Sequence, residues 1–299
     1  MKLLIIGSNG QLGWALGEKS VRAGFTVESV DLPDFNITDP AQVALQVERS
    51  APDLVINASA YTAVDRAEEE PELAYAVNAK GPGYLADACA ARDIPMIQVS
   101  TDYVFDGSRK RPYLESDPVS PLGVYGKSKA AGDDAVRQRL AEHIIIRTAW
   151  LYGVHGHNFV KTMLRLGRER ETLSVVADQR GCPTYAADLA DAILAVSGRI
   201  TGGLQDGWGT YHYCGRGSTT WHGLTEKIFK IAGTIIPLKV KKVRPITTAD
   251  YPTPAERPAN SVLDCRRLEA VFGVRTRPWE ESLAEMLDAV LLDESERHG

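Results

Sequence analysis

Through the first half of the chain, short runs that are apolar at nearly every position alternate with longer stretches whose apolar residues recur at helical spacing. The short runs lie at residues 3–6, 26–30, 54–57, 96–100 and 144–147 and are rich in Val and Ile. An unbroken apolar run of this length predicts a strand covered on both faces, as in a parallel sheet with helices on either side. The intervening stretches predict helices over 11–23, 40–49, 71–92 and 125–140. Pro40 and Pro71 stand where a first helical turn tolerates proline.

After Arg147 the rhythm changes. A helix is expected over 158–169, a short strand over 173–177, a loop over 178–185 containing Gly181 and Pro183, and a helix over 186–196. Residues 202–209 are glycine-rich and read as a surface loop. Further helices are expected over 221–232 and 279–292. Residues 244–261 carry Pro245, Pro252, Pro254 and Pro258 and read as irregular, and the polar end 294–299 as frayed. Repeated strand–helix alternation means βαβ units. The predicted fold is therefore α/β, a Rossmann-like doubly wound parallel sheet with a smaller, mainly C-terminal substrate-binding domain. We expect residues 1–150 to form the dinucleotide-binding domain, residues 183–215 to return to it, and 151–299 to be mainly the substrate domain.

The bulk numbers narrow the class. With 299 residues and a net charge of −5, the chain can bury a large core and offers no broad basic surface for nucleic acid. Cys89, Cys182, Cys214 and Cys265 are scattered without a Cys-x-x-Cys pair, so neither a zinc site nor a disulfide framework is expected. No apolar run approaches the ~20 residues of a membrane span. The N-terminal run ends in a glycine turn and reads as a buried strand rather than a signal peptide. A cytoplasmic protein with reduced thiols is expected.

Three segments carry candidate chemistry. Gly7, Gly10 and Gly13, spaced G-x-x-G-x-x-G, follow a strand and open a helix. Glycines there allow a tight turn, close approach of backbone N–H groups to a pyrophosphate and close helix–strand packing. The same spacing also occurs in turns without a ligand, and the surrounding βαβ units tip the reading toward a dinucleotide. Asp31 ends the second strand and is followed by Leu32 and Pro33 rather than by a basic residue. A carboxylate there accepts hydrogen bonds from ribose hydroxyls and repels a 2′-phosphate, favouring NADH over NADPH; a solvated strand-end acid is the plainer alternative. Tyr125 and Lys129 lie four apart and share a helix face. A tyrosine donates a proton to a carbonyl oxygen as hydride reaches the carbon. A neighbouring ammonium is expected to lower its pKa from ~10. Lys129 also suits the hydroxyls of the nicotinamide ribose. Thr101, just past the strand at 96–100, can orient a carbonyl; capping a turn is its bland alternative.

Gly7 to Gly13, Ser100-Thr101-Asp102-Tyr103-Val104-Phe105-Asp106-Gly107 and Tyr125-Gly126-Lys127-Ser128-Lys129 together resemble the extended short-chain dehydrogenase/reductases. Asn57 to Asp65, Arg147 to Gly153, Asp178 to Thr184 and Arg257-Pro258-Ala259-Asn260-Ser261 narrow the resemblance to the dTDP-4-dehydrorhamnose reductase subgroup. The resemblance implies reduction by NADH or NADPH of the C4 ketone of dTDP-6-deoxy-L-lyxo-4-hexulose to dTDP-L-rhamnose. It implies cofactor binding by Gly7, Gly10, Gln11, Leu12, Gly13 and Asp31, a cofactor path along Ala60, Tyr61 and Thr62, and a catalytic set of Thr101, Tyr125 and Lys129. It places Thr101, Asp102, Tyr103 and Trp150 at the sugar. Some members are homodimers bridged by magnesium through glutamates. The corresponding positions here are Ala15 and Ala187, which cannot ligate a cation. A monomer or weak metal-independent homodimer with no metal requirement is therefore expected. Two other readings stay open: a reductase or 4-epimerase of another nucleotide-linked 4-keto-6-deoxysugar, and a non-catalytic NAD(P)-binding regulatory subunit. A 4,6-dehydratase is disfavoured because Tyr103, not a glutamate, follows Asp102.

Overall fold

The structure, a computed structural model, describes residues 1–297. The predicted strand–helix alternation is present: β1 (Lys2–Ile6), α1 (Gln11–Arg22), β2 (Thr26–Val30), α2 (Pro40–Ser50), β3 (Leu54–Asn57), α3 (Val64–Ala67), α4 (Pro71–Tyr75), α5 (Gly81–Ala90), β4 (Met96–Thr101), α6 (Val124–Arg139) and β5 (His143–Thr148). Then come β6 (Leu151–Tyr152), α7 (Phe159–Glu169), β7 (Thr172–Val176), β8 (Arg180–Gly181), β9 (Thr184–Tyr185), α8 (Ala186–Thr201) and β10 (Gly209–His212). The chain continues through β11 (Thr219–Thr220), α9 (Trp221–Ala232), β12 (Lys242–Ile246), α10 (Arg266–Phe272) and α11 (Trp279–Arg297).

The main sheet is parallel throughout, in the order β10-β5-β4-β3-β1-β2. Its order reverses between β1 and β3, and the crevice beyond the strand ends at such a reversal is where ligands sit in open α/β sheets. The unbroken apolar runs follow from double cover. Leu3 and Ile5 pack toward α1 and α8 on one face, while Leu4 and Ile6 pack toward α2 and α5 on the other. A separate core binds α7, α9 and α11 to β7.

Four local expectations differ from what folds. The helix expected over 71–92 is interrupted by a π-helical turn at Ala76–Lys80, which turns Asn78 into the interior. The glycine-rich loop ends at Gly209, where β10 begins. That segment is too short and polar to announce itself, and it is a strand because β5 offers it a parallel partner. Residues 242–246 form β12 against β7, where Pro245 is tolerated because the pair has only two strands and the proline lies at an edge. The helix expected to end at 292 continues to Arg297, and residues 298 and 299 of the tail expected to fray lie outside the described residues.

Candidate active site

The strand ends, α1 and the C-terminal segments enclose a cleft of about 740 Å³. Its first wall is the glycine turn. Gly7 has φ +88, and a Cβ there would come within 2.5 Å of the Ser59 backbone nitrogen. A Cβ on Gly13 would lie 2.0 Å from the Gly7 carbonyl oxygen, so this glycine lets α1 sit tightly against the turn. Gly10 caps α1 without a side-chain hydrogen bond, and the first turn carries no acid. The free N–H groups of that turn face the cleft beside Gln11 and Leu12, an arrangement that fits a pyrophosphate. The Gln11 side chain is held from the opposite side, where Asn158 Nδ2 donates to its Oε1 at 3.0 Å.

Asp31 also lines the cleft, but its oxygens are partly engaged. Oδ2 accepts from the Asn9 backbone N–H at 2.8 Å and Oδ1 from Leu32 N–H at 2.7 Å. The carboxylate thus braces the glycine turn and keeps further lone pairs for a ribose. Ala60 and Thr62 line the cleft as well. Tyr61 between them directs its phenol away, its hydroxyl donating to Glu70 at 2.5 Å. Asn78 locks this segment: its Oδ1 accepts from Tyr61 N–H at 2.8 Å, and its Nδ2 donates to the Tyr61 carbonyl and to Ser128 on α6. A lone Asn in an otherwise apolar stretch was the one sequence signal of this role.

The second wall joins β4 to α6. Thr101 is buried, and its hydroxyl donates to Asp102 Oδ1 at 3.0 Å and accepts from Tyr103 N–H at 3.2 Å, so it does cap the following turn. It also lies beside Tyr125 and draws the phenol pKa down. Burial nevertheless dominates and pushes Tyr125 up to about 12, with Asp102 and Asp133 adding to the rise. The expected lowering by Lys129 is thereby corrected. Lys129 Nζ donates instead to the Val99 carbonyl at 2.8 Å, and burial, opposed by Asp133, brings its pKa down to about 8. Asp102 is 2% exposed with Oδ2 unpartnered, and burial raises its carboxyl to about 6 against hydrogen bonds from Ser261 and Thr101. Tyr103 meets Tyr125 edge to face at 5.4 Å, and burial raises its pKa too.

Behind this wall lies a buried ion pair absent from the sequence reading. Asp133, one turn beyond Lys129 on α6, accepts from Ser100 Oγ at 2.9 Å and from Arg147 Nε at 3.4 Å. Both charged groups are 1% exposed, and Arg147 lies over the Phe105 ring at 5.3 Å. The third wall is aromatic: Trp150, Phe159 and Trp221, of which only Trp150 carried a signal in its motif.

The protein is similar to known proteins along its whole length. The family model described as RmlD substrate binding domain matches residues 1–292. A dTDP-4-dehydrorhamnose reductase of Sinorhizobium fredii is 42% identical over 98% of this chain and 99% of that protein. Among solved structures, a dTDP-4-dehydrorhamnose reductase of Clostridium acetobutylicum superposes with TM-score 0.91 at 42% identity, covering 97% of this chain and 99% of that one. The Bacillus anthracis dTDP-4-dehydrorhamnose reductase, in complex with NADP, gives TM-score 0.88 at 39% identity, covering 96% and 99%.

Proposed function

The chain belongs to the dTDP-4-dehydrorhamnose reductase family, and on that premise we propose that it reduces the C4 ketone of dTDP-4-dehydro-L-rhamnose to dTDP-L-rhamnose. The observation that carries this reading is the convergence of Thr101 from β4 with Tyr125 and Lys129 from α6 on the cleft that the glycine turn also lines. The dihydronicotinamide, when bound, supplies the hydride to the carbonyl carbon. Thr101 orients the carbonyl oxygen. Tyr125, whose phenol stays protonated at neutral pH, donates its proton to the developing alkoxide, a stronger base than a phenolate. Lys129 keeps a mainly protonated ammonium near pH 7, available to the nicotinamide ribose hydroxyls once it exchanges its bond to the Val99 carbonyl. Asp102, Tyr103 and Trp150 contact the sugar, while Gly7, Gly10, Gln11, Leu12, Gly13, Asp31 and the 60–62 segment hold the dinucleotide. We assign dinucleotide binding to residues 1–150 with 183–215, a division supported by α8 and β10 packing on the main sheet, and the sugar nucleotide mainly to 151–299. The test is loss of dihydronicotinamide absorbance with the 4-keto sugar nucleotide, and identification of the reduced sugar by NMR. An epimerase gives no net oxidation, and a binding subunit no turnover.

Asp31 supports NADH as the working cofactor, although the B. anthracis relative was solved with NADP. Asp31→Ala removes a ribose-hydroxyl acceptor and a negative charge. The NADH-to-NADPH preference, read as the ratio of kcat/KM values, is expected to shift toward NADPH by about tenfold, the scale of one hydrogen bond to a charged group. Both cofactors should also weaken somewhat, because the brace on Asn9 is lost. An unmoved ratio would reduce Asp31 to a brace.

We propose further that the protein is cytoplasmic and works as a monomer or weak dimer without metal. No helix among the described residues is long and apolar enough to cross a membrane. Ala15 is buried against the sheet and Ala187 packs on the C-terminal core. The nearest acid to Ala187, Asp188, is already engaged by Arg277 at 2.9 Å and by the Ser282 hydroxyl. Activity and light-scattering mass are expected to survive EDTA. A dimer that dissociates on chelation, with activity lost in parallel, would overturn this.

A further inference from the structure

Trp150 and Trp221 stack nearly face to face, with ring centroids 3.6 Å apart and planes 7° apart. Phe159 lies against Trp221 at 4.6 Å, so Trp221 is held between two aromatic neighbours. All three line the same cleft as Thr101 and Tyr125. The two indoles are not held alike. Trp150 is fixed: its φ is +46, a left-handed conformation costly for a bulky residue, its carbonyl accepts from Thr184 N–H at 3.1 Å, and its ring lies so close to Gly181 that a Cβ there would come within 2.3 Å of Cε2. Trp221 is the first residue of α9, half-buried, and its indole N–H has one hydrogen bond, to Gln179 Oε1 at 3.2 Å.

A parallel sandwich this close is also not the arrangement that aromatic quadrupoles favour. Offset or edge-on pairs with centroids ~4.5–7 Å apart are preferred, so little is lost when the two rings part. A pyranose, by contrast, presents aliphatic C–H groups to the negative face of an indole. The Trp150 face suited to that contact is the one Trp221 covers.

We propose that Trp221 is a displaceable aromatic cover of the hexose subsite, and that the sugar of the nucleotide-sugar substrate binds on the Trp150 face that Trp221 occupies. This rests on the reductase reading above and names a specificity residue for it. The side chain must swing aside when a hexose arrives, while a nucleoside diphosphate without a sugar leaves the stack in place. The cover contributes to specificity because each bound hexose has to replace the aromatic contact with its own.

The stack reports on itself, since two indoles in this geometry couple excitonically and give a bisignate circular-dichroism band. The full-length protein is titrated with dTDP-L-rhamnose and, separately, with dTDP, with calorimetry to establish saturation. The couplet is expected in the free protein, absent from Trp150→Phe and Trp221→Phe, lost on saturation with dTDP-L-rhamnose and retained with dTDP. Trp221→Ala, which removes the cover, is expected to tighten dTDP-L-rhamnose about two- to tenfold, the scale of one aromatic pair, and to leave dTDP unchanged. A couplet that persists at saturation with dTDP-L-rhamnose, or that dTDP abolishes equally, overturns the cover while leaving the reductase reading intact. So does unchanged or weakened binding of the sugar nucleotide to Trp221→Ala. Failure of dTDP-L-rhamnose to bind at all removes both.

Discussion

Tyr125→Phe is expected to lower kcat by about 10²–10⁴-fold, the usual contribution of a positioned general acid. KM and cofactor affinity should stay nearly unchanged. Only a hydroxyl is lost, and the ring keeps its edge contact with Tyr103 at 5.4 Å. The size of the effect follows from the environment. Burial holds the phenol at about 12, so at neutral pH it is wholly in the donor form, and the low-dielectric floor offers the developing alkoxide few other proton sources. Steady-state kinetics with the 4-keto sugar nucleotide measures this. A loss below about threefold removes Tyr125 from the chemistry and leaves Thr101 or a water as the donor.

Arg147→Met is expected to destabilise the fold by about 3–5 kcal/mol, because it strands the buried Asp133 carboxylate. The remaining groups near Asp133 are the Ser100 hydroxyl at 2.9 Å and the Arg137 guanidinium at 3.9 Å, which is too exposed and too far to substitute for Arg147. Thermal unfolding should shift down on the order of 10 °C. The double substitution Arg147→Met with Asp133→Leu should recover most of that loss, since a buried ion pair roughly breaks even against well-packed apolar groups. If the double variant is no more stable than the single one, the pair is not the origin of the cost. Activity discriminates a further point. Asp133 opposes the fall in the Lys129 pKa, so a double variant that folds but loses activity at a lower pH than the parent places the pair in the electrostatics of Lys129.

The strands covered on both faces were legible because the side-chain period of a strand is two: when both faces are buried, Leu3 to Ile6 must all be apolar, and that needs no partner to be read. The glycine turn was legible for a similar reason, since Gly7 and Gly13 are demanded by contacts within one βα unit. Tyr125 and Lys129 could be placed together because four residues of helix put them on one face. β10 could not be read, because its strand character comes from β5, more than sixty residues earlier in the chain. The cysteines looked scattered, yet Cys214 and Cys265 bring their sulfurs to 3.6 Å in one small core.

The chain's own pattern thus determined its βαβ order, the nucleotide-binding turn and the pairing of Tyr125 with Lys129, all of which depend on residues a few positions apart. Tertiary structure alone decided the sign of the Tyr125 shift, the Asp133–Arg147 pair behind Lys129 and the Trp221 ring over Trp150. The physical reason is common to the three. Desolvation, ion pairing and ring stacking are set by what surrounds a group in space, and here the surrounding groups come from segments tens of residues apart, which periodicity and local spacing do not encode.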